Sequence, residues 1–574
     1  MKTKPGIACL AVVALQAAQA GVAGATPERC AALAAGLAGH WPDASTTVED
    51  ARWIAAGPLQ LPATAWQASQ AVPVSAHCEL VGRLQPREGA LGQHYAIRFH
   101  LRLPADWNGR FYFMGGGGSN GELGDALGRY SGAAPSALEQ GYAVASQDSG
   151  HDNGTNVDAA HAGTLVFGFD AQARANYGHD SLPLVADAAA AAIRAFYGEP
   201  ARHAYFVGCS KGGQEALSIA QRYAARFDGI AAGAPGMSLP RAALAEAWDT
   251  QAFAQLLPRH AGHPPTVEAL AATFSEADFQ VVRESVLAAC DALDGLADGI
   301  VADTARCTTR RVLPQLDQRQ CHGGQASGCL AQAKVDALLR VMGGPRDARG
   351  RPLYAEWPWD PAIAEMGWRV WKIGAPGAQP PALNVVLGAA SLASVFTTPP
   401  TALPPDPQAL LQYQLRVDAG REGAKTTARG GGFGHSAWED ISARSPDLDG
   451  LRAHGGRLLV WHGAADPVFS LRDTVRWWEE VHARYGGAEQ AFMRLFAVPG
   501  LNHCQGGTAT GDFDVLATLV RWAEQGEAPA QLPARAGPGT PWPGRARPLC
   551  AWPAVARYRG RGDPEQAASF ECRP

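Results

Sequence analysis

The feature that most constrains the fold of this chain is a glycine-rich turn around Ser210, at the junction of a strand pattern and a helix pattern. Gly208-Cys209-Ser210-Lys211-Gly212-Gly213 follows the apolar run Tyr205-Phe206-Val207 and precedes a helical stretch at 215–223. The spacing G-x-S-x-G in this setting is that of a nucleophile elbow, whose small residues permit a sharp turn. The helix N-terminus favours negative charge there. We therefore predict a nucleophilic serine, with an incidental serine in a glycine-rich turn as the alternative.

Strand and helix patterns alternate on both sides of this turn. Period-two alternation marks residues 95–101, and a helical pattern covers 182–197. Short apolar runs followed by glycine or polar turns occupy 110–114, 141–146, 204–208, 457–463 and 492–498. Strands that alternate with helices predict a mostly parallel sheet covered by helices on both faces.

The 574 residues are too many for one minimal domain, so we expect one large domain with an insertion. Residues from about 236 to 454 are rich in Trp, Pro, Gly and Cys and lack the alternating pattern. We predict a signal peptide at 1–20, the first part of the core at 21–235, a lid at 236–454 and the second part of the core at 455–574.

The N-terminus predicts export. Lys2 and Lys4 precede a short apolar run, and Ala18-Gln19-Ala20 fits a signal-peptidase site. The run is too short to span a bilayer. A net charge of -5 with only 18% charged residues argues against a nucleic-acid partner, because proteins that bind nucleic acids usually carry a clustered basic patch. We expect a secreted or periplasmic monomer with a small-molecule substrate and no membrane span.

Cysteine usage agrees with export. Of 11 cysteines, Cys9 leaves with the signal peptide, and an even number in an exported chain predicts disulfides. Sequence proximity favours the pairs Cys290–Cys307, Cys321–Cys329 and Cys550–Cys572. Cys30 and Cys78 form a natural N-terminal pair, which leaves Cys209 with Cys504.

The order serine, acid, histidine along an α/β-hydrolase chain selects two further catalytic candidates. Asp466 follows the strand pattern at 457–463, with Asp473 in the next helix as the alternative acid. His503 follows the last strand pattern, where it would take the Ser210 proton while Asp466 fixes its tautomer. His462 is predicted to be a neighbour that lines the site. The expected fold is an α/β-hydrolase with a large inserted lid domain.

Acyl transfer also needs hydrogen-bond donors for a tetrahedral oxyanion. One is the backbone N–H after the nucleophile, here that of Lys211. The run Met114-Gly115-Gly116-Gly117-Gly118-Ser119-Asn120-Gly121 follows a strand pattern, and Gly117 or Gly118 would present the other. A phosphate-binding loop is a weaker interpretation, because the Gly-Lys-Ser/Thr ending is missing.

Closely spaced aspartates in the predicted lid suggest a calcium loop. Asp291, Asp294 and Asp298 would supply carboxylates, and the carbonyls of Leu296 and Ile300 could complete the shell. The spacing is not that of an EF-hand, and an acidic solvated turn is the alternative. The ion would be structural.

Together these residues resemble the tannase and feruloyl esterase family. Adjacent disulfide-bonded cysteines join the serine and the histidine in that family, as Cys209-Ser210 and His503-Cys504 would do here. The resemblance covers nearly the whole mature chain, and it implies a calcium-binding lid and hydrolysis of carboxylic esters.

Within the family, the sequence is especially similar to members that hydrolyse mono(2-hydroxyethyl) terephthalate (MHET). Their oxyanion glycine corresponds to Gly118, and a pocket tryptophan of their lid corresponds to Trp371. Their lid also supplies an arginine for the substrate carboxylate and a phenylalanine for its ring. The matching stretch here, about 382–396, has no arginine and places Leu387 opposite the phenylalanine. A buried carboxylate without a cation is costly. The sequence therefore favours a neutral acyl group of the feruloyl or galloyl type over MHET.

A non-catalytic binding protein, a peptidase and an acyltransferase are further alternatives on this scaffold.

Overall fold

A computed structural model of the chain describes residues 25–63, 69–129, 135–258, 264–322 and 328–574. The predicted signal peptide at 1–20 lies outside the described residues. No helix in the described ranges is long and apolar enough to cross a membrane.

The described residues form fifteen strands. In chain order they are β1 (Thr47–Ile54), β2 (Gly57–Leu61), β3 (Gln70–Val74), β4 (His77–Glu88), β5 (His94–Pro104), β6 (Arg110–Met114), β7 (Ala143–Gln147), β8 (His203–Cys209), β9 (Gly229–Gly233), β10 (Arg457–Gly463), β11 (Met493–Val498), β12 (Gln531–Arg535), β13 (Ala546–Cys550), β14 (Val555–Tyr558) and β15 (Phe570–Arg573).

Nine of these strands make one mixed sheet in the order β1-β4-β5-β7-β6-β8-β9-β10-β11. The pairs from β7 to β11 are parallel, whereas β1, β4, β5 and β7 pair antiparallel. Three two-stranded sheets pair β2 with β3, β12 with β13 and β14 with β15. The predicted parallel sheet is therefore correct from β7 onward, and an antiparallel edge extends it.

Helices pack around the sheet and build the segment between β9 and β10. In chain order they are α1 (Pro27–Leu37), α2 (Ala171–Ala175), α3 (Ser181–Tyr197), α4 (Lys211–Arg222), α5 (Leu239–Ala254), α6 (Val267–Ala271), α7 (Glu276–Cys290), α8 (Thr309–Asp317), α9 (Gln332–Met342), α10 (Met366–Lys372), α11 (Ala390–Ser394), α12 (Pro407–Arg416), α13 (Ala419–Thr426), α14 (Ala437–Ile441), α15 (Asp449–His454), α16 (Leu471–Tyr485) and α17 (Val515–Gln525). Within the described ranges two segments are π-helical, Asn176–Asp180 and Asn384–Ala389.

Two apolar clusters occupy the two faces of the sheet, and a third fills the helical segment between β9 and β10. Arg174 joins this segment to the rest of the molecule from a fully buried position. Its guanidinium donates to Asp440 Oδ2 at 2.8 Å, to Thr398 Oγ1 at 3.0 Å and to the His435 carbonyl at 2.9 Å. A buried guanidinium with three acceptors fixes the orientation of this segment relative to α2, because breaking these hydrogen bonds would leave a buried charge unpaired. The division into core and lid at 235/236 and 454/455 stays a prediction.

The disulfides among the described residues are the five pairs that the sequence analysis predicted. They are Cys30–Cys78, Cys209–Cys504, Cys290–Cys307, Cys321–Cys329 and Cys550–Cys572.

Candidate active site

Ser210 lies in a strained turn between β8 and α4, with φ 65° and ψ -120°. Its N–H donates to the Gly233 carbonyl at 3.0 Å, which ties the turn to β9. A Cβ added to Gly208 would lie 2.5 Å from the Gly212 carbonyl carbon, and one on Gly212 would lie 2.7 Å from the Gly116 oxygen. Only glycine fits at these two positions, and this close packing holds the serine at the end of the strand in the geometry of a nucleophile elbow.

The structure brings Ser210, His503 and Asp466 into one hydrogen-bonded chain. His503 Nε2 lies 2.8 Å from Ser210 Oγ, and His503 Nδ1 lies 2.8 Å from Asp466 Oδ2. The three residues follow β8, β11 and β10, whose carboxyl ends meet at one edge of the sheet. This geometry lets an Nδ1–H donate to the carboxylate while Nε2 accepts from the serine hydroxyl.

Asp466 is buried, with 2% of its surface exposed, yet its surroundings favour the carboxylate. Burial acts to raise the pKa of Asp466, but the charge of His503 and hydrogen bonds from His462 and His503 outweigh it and hold this pKa well below its usual range. The backbone N–H groups of Val468 and Phe469 also donate to Asp466 Oδ1, at 2.7 and 3.0 Å. The acid is thus ionised and fixed in orientation.

His462 does not lie where the sequence analysis placed it. It is fully buried within β10 and is absent from the described residues that line the cavity beside Ser210. Its Nδ1 lies 2.8 Å from Thr474 Oγ1 in α16, and its Nε2 lies 2.9 Å from the Phe469 carbonyl and 3.4 Å from Asp466 Oδ2. His462 therefore supports Asp466 from behind, because it is still part of the strand rather than of the loop that follows.

The alternative acid, Asp473, lies in α16 and contacts Arg444 Nε at 3.2 Å. The hydrogen bond to His503 is made by Asp466 instead.

The Cys209–Cys504 disulfide lies beside the hydrogen bond between Ser210 and His503. Its Cα atoms are 6.1 Å apart although the residues are separated by 295 positions. Each cysteine adjoins one member of the hydrogen-bonded pair Ser210 and His503. The bond therefore ties the loop after β11 directly to the elbow.

A buried carboxylate organises the glycine loop after β6. Glu215 Oε2 accepts from the Gly116 N–H at 2.8 Å, and its Oε1 accepts from Asn120 Nδ2 at 2.9 Å. Lys211 Nζ lies 3.0 Å from Glu215 Oε1 and 4.5 Å from the centre of the Tyr177 ring. Burial lowers the pKa of Lys211 against the effect of Glu215. Gly118 and Lys211 line the cavity beside Ser210, where the predicted oxyanion donors belong.

The contacts of Glu215 and Asn120 with the glycine loop were not predicted from the sequence. The i,i+4 spacing of Lys211 and Glu215 on a helix was the available signal for the ion pair.

Ser210 opens into a cavity of about 370 Å³ with mainly apolar walls. Trp371 lines it, and the Trp371 ring meets the His503 ring edge to face with centres 5.8 Å apart. Leu387 lines it as well, from the π-helical segment Asn384–Ala389. Among the described lining residues the one basic side chain is Lys211, which is paired with Glu215. One carboxyl group, that of Glu246, also faces this cavity, and the sequence analysis did not anticipate it.

The predicted calcium loop directs most of its carboxylate oxygens to its own backbone. Asp291 Oδ1 accepts from the N–H groups of Asp298 and Gly299 at 3.2 and 3.1 Å, and Asp294 Oδ1 accepts from the Leu296 N–H at 3.2 Å. Asp298 forms an ion pair with Arg547. Burial raises the pKa of Asp294 to about 7.

The kinds of donor fit a hard cation, since carboxylate and carbonyl oxygens are the ligands that calcium takes. In the described ranges, however, no three His, Cys, Asp or Glu side chains converge closely enough to hold a metal ion. The loop lies at the end of α7, where the Cys290–Cys307 disulfide closes it.

Comparison with known proteins gives a consistent set of relatives. A family model described as tannase and feruloyl esterase matches residues 78–573. The chain is 40% identical to mono(2-hydroxyethyl) terephthalate hydrolase of Piscinibacter sakaiensis, over 93% of this chain and 89% of that protein. It is 30% identical to a probable feruloyl esterase of Arthroderma benhamiae, over 82% and 81% of the two chains.

Solved structures show the same fold. Feruloyl esterase B from Aspergillus oryzae superimposes with a TM-score of 0.73 at 19% identity, covering 95% of this chain and 99% of that one. Tannin acyl hydrolase from Aspergillus niger gives 0.65 at 19% identity, covering 95% and 96%. The fold is thus of the α/β-hydrolase type, as the sequence predicted.

Proposed function

Since the chain belongs to the tannase and feruloyl esterase family and is a carboxylic ester hydrolase, we propose that it cleaves esters of aromatic acids through Ser210, His503 and Asp466. The observation that carries this proposal is the hydrogen-bonded chain from Ser210 Oγ through His503 to Asp466, with 2.8 Å at each step, beside an apolar cavity. A nucleophile, a base and a group that orients the base are the minimum set for acyl transfer.

In the first half of the reaction, Ser210 Oγ attacks the ester carbonyl carbon while His503 Nε2 takes the hydroxyl proton. The oxygen of the tetrahedral intermediate accepts hydrogen bonds from the backbone N–H groups of Lys211 and Gly118. His503 then protonates the departing alkoxide, and the acid stays bound to Ser210 as an ester.

In the second half, His503 takes a proton from water, and the hydroxide attacks the Ser210 ester. Collapse of the second tetrahedral intermediate releases the aromatic acid and returns the proton to Ser210. The ionised Asp466 stabilises the imidazolium of His503 in both halves.

The cavity favours a neutral aromatic acyl group such as feruloyl or galloyl. Its walls are mainly apolar, and the Lys211 charge is already used by Glu215. An aromatic ring gains from burial there, whereas a free carboxylate would lose its water without gaining a cation.

MHET is the second candidate substrate. The 40% identity to the MHET hydrolase of Piscinibacter sakaiensis favours it. The absence of an unpaired basic residue among the described residues that line the cavity opposes it.

Two further features belong to the same proposal. A structural calcium ion would be held by the carboxylates of Asp291, Asp294 and Asp298 with the carbonyls of Leu296 and Ile300, and the close spacing of three aspartates in one loop supports it. The protein works outside the cytosol, and its five disulfides support an oxidising compartment.

The test is turnover of methyl ferulate, methyl gallate and MHET by the purified, oxidised protein and by Ser210→Ala. We expect the ferulate or gallate ester to be preferred and the variant to lose about 10⁴-fold or more in kcat. Ser391→Ala removes another hydroxyl that lines the cavity and serves as the matched control. Preferential turnover of MHET would contradict the proposed acyl group, and an active Ser210→Ala would contradict the nucleophile.

A further inference from the structure

Glu246 places a carboxyl group in the wall of the cavity that holds Ser210. It belongs to α5, it is 5% exposed, and it lines the same cavity as the nucleophile. Gly388 of the π-helical segment lies directly opposite, because a Cβ added there would be 1.8 Å from Glu246 Oε2. The carboxyl group thus occupies the space that a side chain at position 388 would need.

The Glu246 carboxyl has no hydrogen-bond partner among the described residues. The nearby ammonium of Lys372 binds Asp249 Oδ2 at 2.5 Å and lies 3.7 Å from the centre of the Trp357 ring. Thr250 Oγ1 donates to the backbone carbonyl of Glu246 at 3.0 Å and not to its carboxyl group. A polar group buried in this way is unfavourable until a ligand or water bonds to it.

Near neutral pH this carboxyl group is able both to donate and to accept. Burial raises the pKa of Glu246 to about 8, and the Lys372 charge lowers it less than burial raises it. A protonated carboxyl group offers one O–H donor and retains acceptor oxygens. A hydroxyl group likewise donates and accepts a hydrogen bond. It therefore complements this carboxyl group without bringing a charge into the cavity.

We propose that Glu246 binds a hydroxyl group on the aromatic ring of the acyl moiety and so selects esters of hydroxylated aromatic acids. This inference rests on the proposed function, in which the cavity holds that ring. The walls around Glu246 are otherwise apolar, with Leu239, Ala242 and Ala243 on its own helix and Leu387 across from it. A hydroxyl on a ring held by these walls would meet Glu246 as a polar partner.

The test compares esters that differ by one hydroxyl group. We expect wild-type kcat/KM to be about 10- to 100-fold higher for methyl 4-hydroxycinnamate or methyl 3-hydroxycinnamate than for methyl cinnamate, because a site built around a polar group discriminates against a ligand that leaves it unpaired. Glu246→Leu should bring this ratio close to one, and Glu246→Gln should keep more of it than Glu246→Leu. Glu284→Leu, at an exposed position in α7, should keep the wild-type ratio.

Gly388→Ala gives a second variant that leaves the carboxyl group in the chain but displaces it. We expect Gly388→Ala to lower the ratio of kcat/KM for the hydroxylated ester to that for methyl cinnamate. This variant replaces Glu246→Leu as the test if Glu246→Leu fails to fold. A wild-type ratio near one, or a ratio unchanged in both variants, would overturn the inference while ester turnover still supports the proposed function. The inference would also be overturned if the wild type prefers MHET and Glu246→Leu loses its MHET turnover. A wild type inactive on all these esters would instead reject the proposed function itself.

Discussion

The Cα atoms of Cys209 and Cys504 lie 6.1 Å apart in a disulfide whose ends are separated by 295 residues. Ser210 and His503, the residues next to these cysteines, are 2.8 Å apart between Oγ and Nε2. The covalent bond therefore limits how far the loop after β11 can move from the elbow.

Removing this disulfide should lower both the stability of the fold and the precision with which Ser210 and His503 are aligned. For Cys209→Ala with Cys504→Ala we expect the free energy of unfolding to fall by about 2–5 kcal/mol, because the unfolded chain regains a long loop. We expect kcat to fall by about tenfold to hundredfold at temperatures where the variant is folded, since small misplacements of reacting atoms are costly. Denaturant unfolding and ester turnover measure the two effects.

The control is the double alanine variant of Cys321 and Cys329, which are 8 residues apart. It should lose less stability, because the loop is short, and it should keep the wild-type kcat. Equal losses of kcat in the two double variants would contradict a positioning role for the Cys209–Cys504 bond.

The buried pair Lys211 and Glu215 should be more sensitive to single than to double replacement. Lys211→Met or Glu215→Gln leaves one buried charge unpaired, so we expect each to lower the free energy of unfolding by about 3–5 kcal/mol. The double variant should lose clearly less than the sum of the two. We also expect the single variants to lower kcat about tenfold or more, because Glu215 accepts a hydrogen bond from the loop that carries the proposed oxyanion donor Gly118.

The exposed pair Arg226 and Asp187, with Nε 2.8 Å from Oδ1, provides the matched control. Arg226→Met should change the free energy of unfolding by less than about 1 kcal/mol. Additive losses in the Lys211 and Glu215 cycle would show that the two side chains do not act as a pair.

The alternation of apolar runs predicted the parallel strands well. The prediction 457–463 coincides with β10, and 110–114 coincides with β6, because buried strands bounded by turns leave short continuous apolar runs. The N-terminal strand β1 escaped prediction, since its residues are mostly half-buried or exposed and carry no clear apolar alternation.

Polar side chains whose surroundings depend on tertiary contacts were harder to predict. Glu246 and Asp249 are spaced like polar residues on the solvent face of a helix, but packing against other helices buries both. His462 stands beside the Asp466 loop in sequence, yet its place inside β10 directs it to Thr474 of α16. Spacing along the chain located the triad candidates, because their order follows the strands of the fold.

Glu246 should make stability fall as the pH rises. Its pKa is raised to about 8 in the folded protein and is near 4.3 in an unfolded chain, so between these values the folded state holds one more proton. The free energy of unfolding should therefore drop by up to about 1.4 kcal/mol per pH unit across this window and level off above it. Glu246→Gln should lack this contribution, so the stability of the variant relative to wild type should increase from pH 5 to pH 8. Parallel pH profiles of the two proteins in denaturant unfolding would contradict a buried, protonated Glu246.

Calcium should stabilise the fold without taking part in the reaction. With calcium at about 100 times its Kd, we expect an increase of about 2.7 kcal/mol in the free energy of unfolding, and a chelator should remove it. Asp291→Asn with Asp294→Asn should melt at the same temperature with calcium and with chelator. Thermal melting checks this, and a wild type whose Tm ignores both reagents would contradict a calcium site in this loop.

The central claim, an ester formed on Ser210, is tested most directly by trapping that intermediate. Rapid acid quench of the protein with the 4-nitrophenyl ester of ferulic acid, followed by peptide mass spectrometry, should place one feruloyl group on the peptide that contains Ser210. The release of 4-nitrophenol should begin with a burst close to one equivalent, and Ser210→Ala should show neither the burst nor the adduct. A feruloyl group on another residue, or steady turnover that persists in Ser210→Ala, would contradict the account.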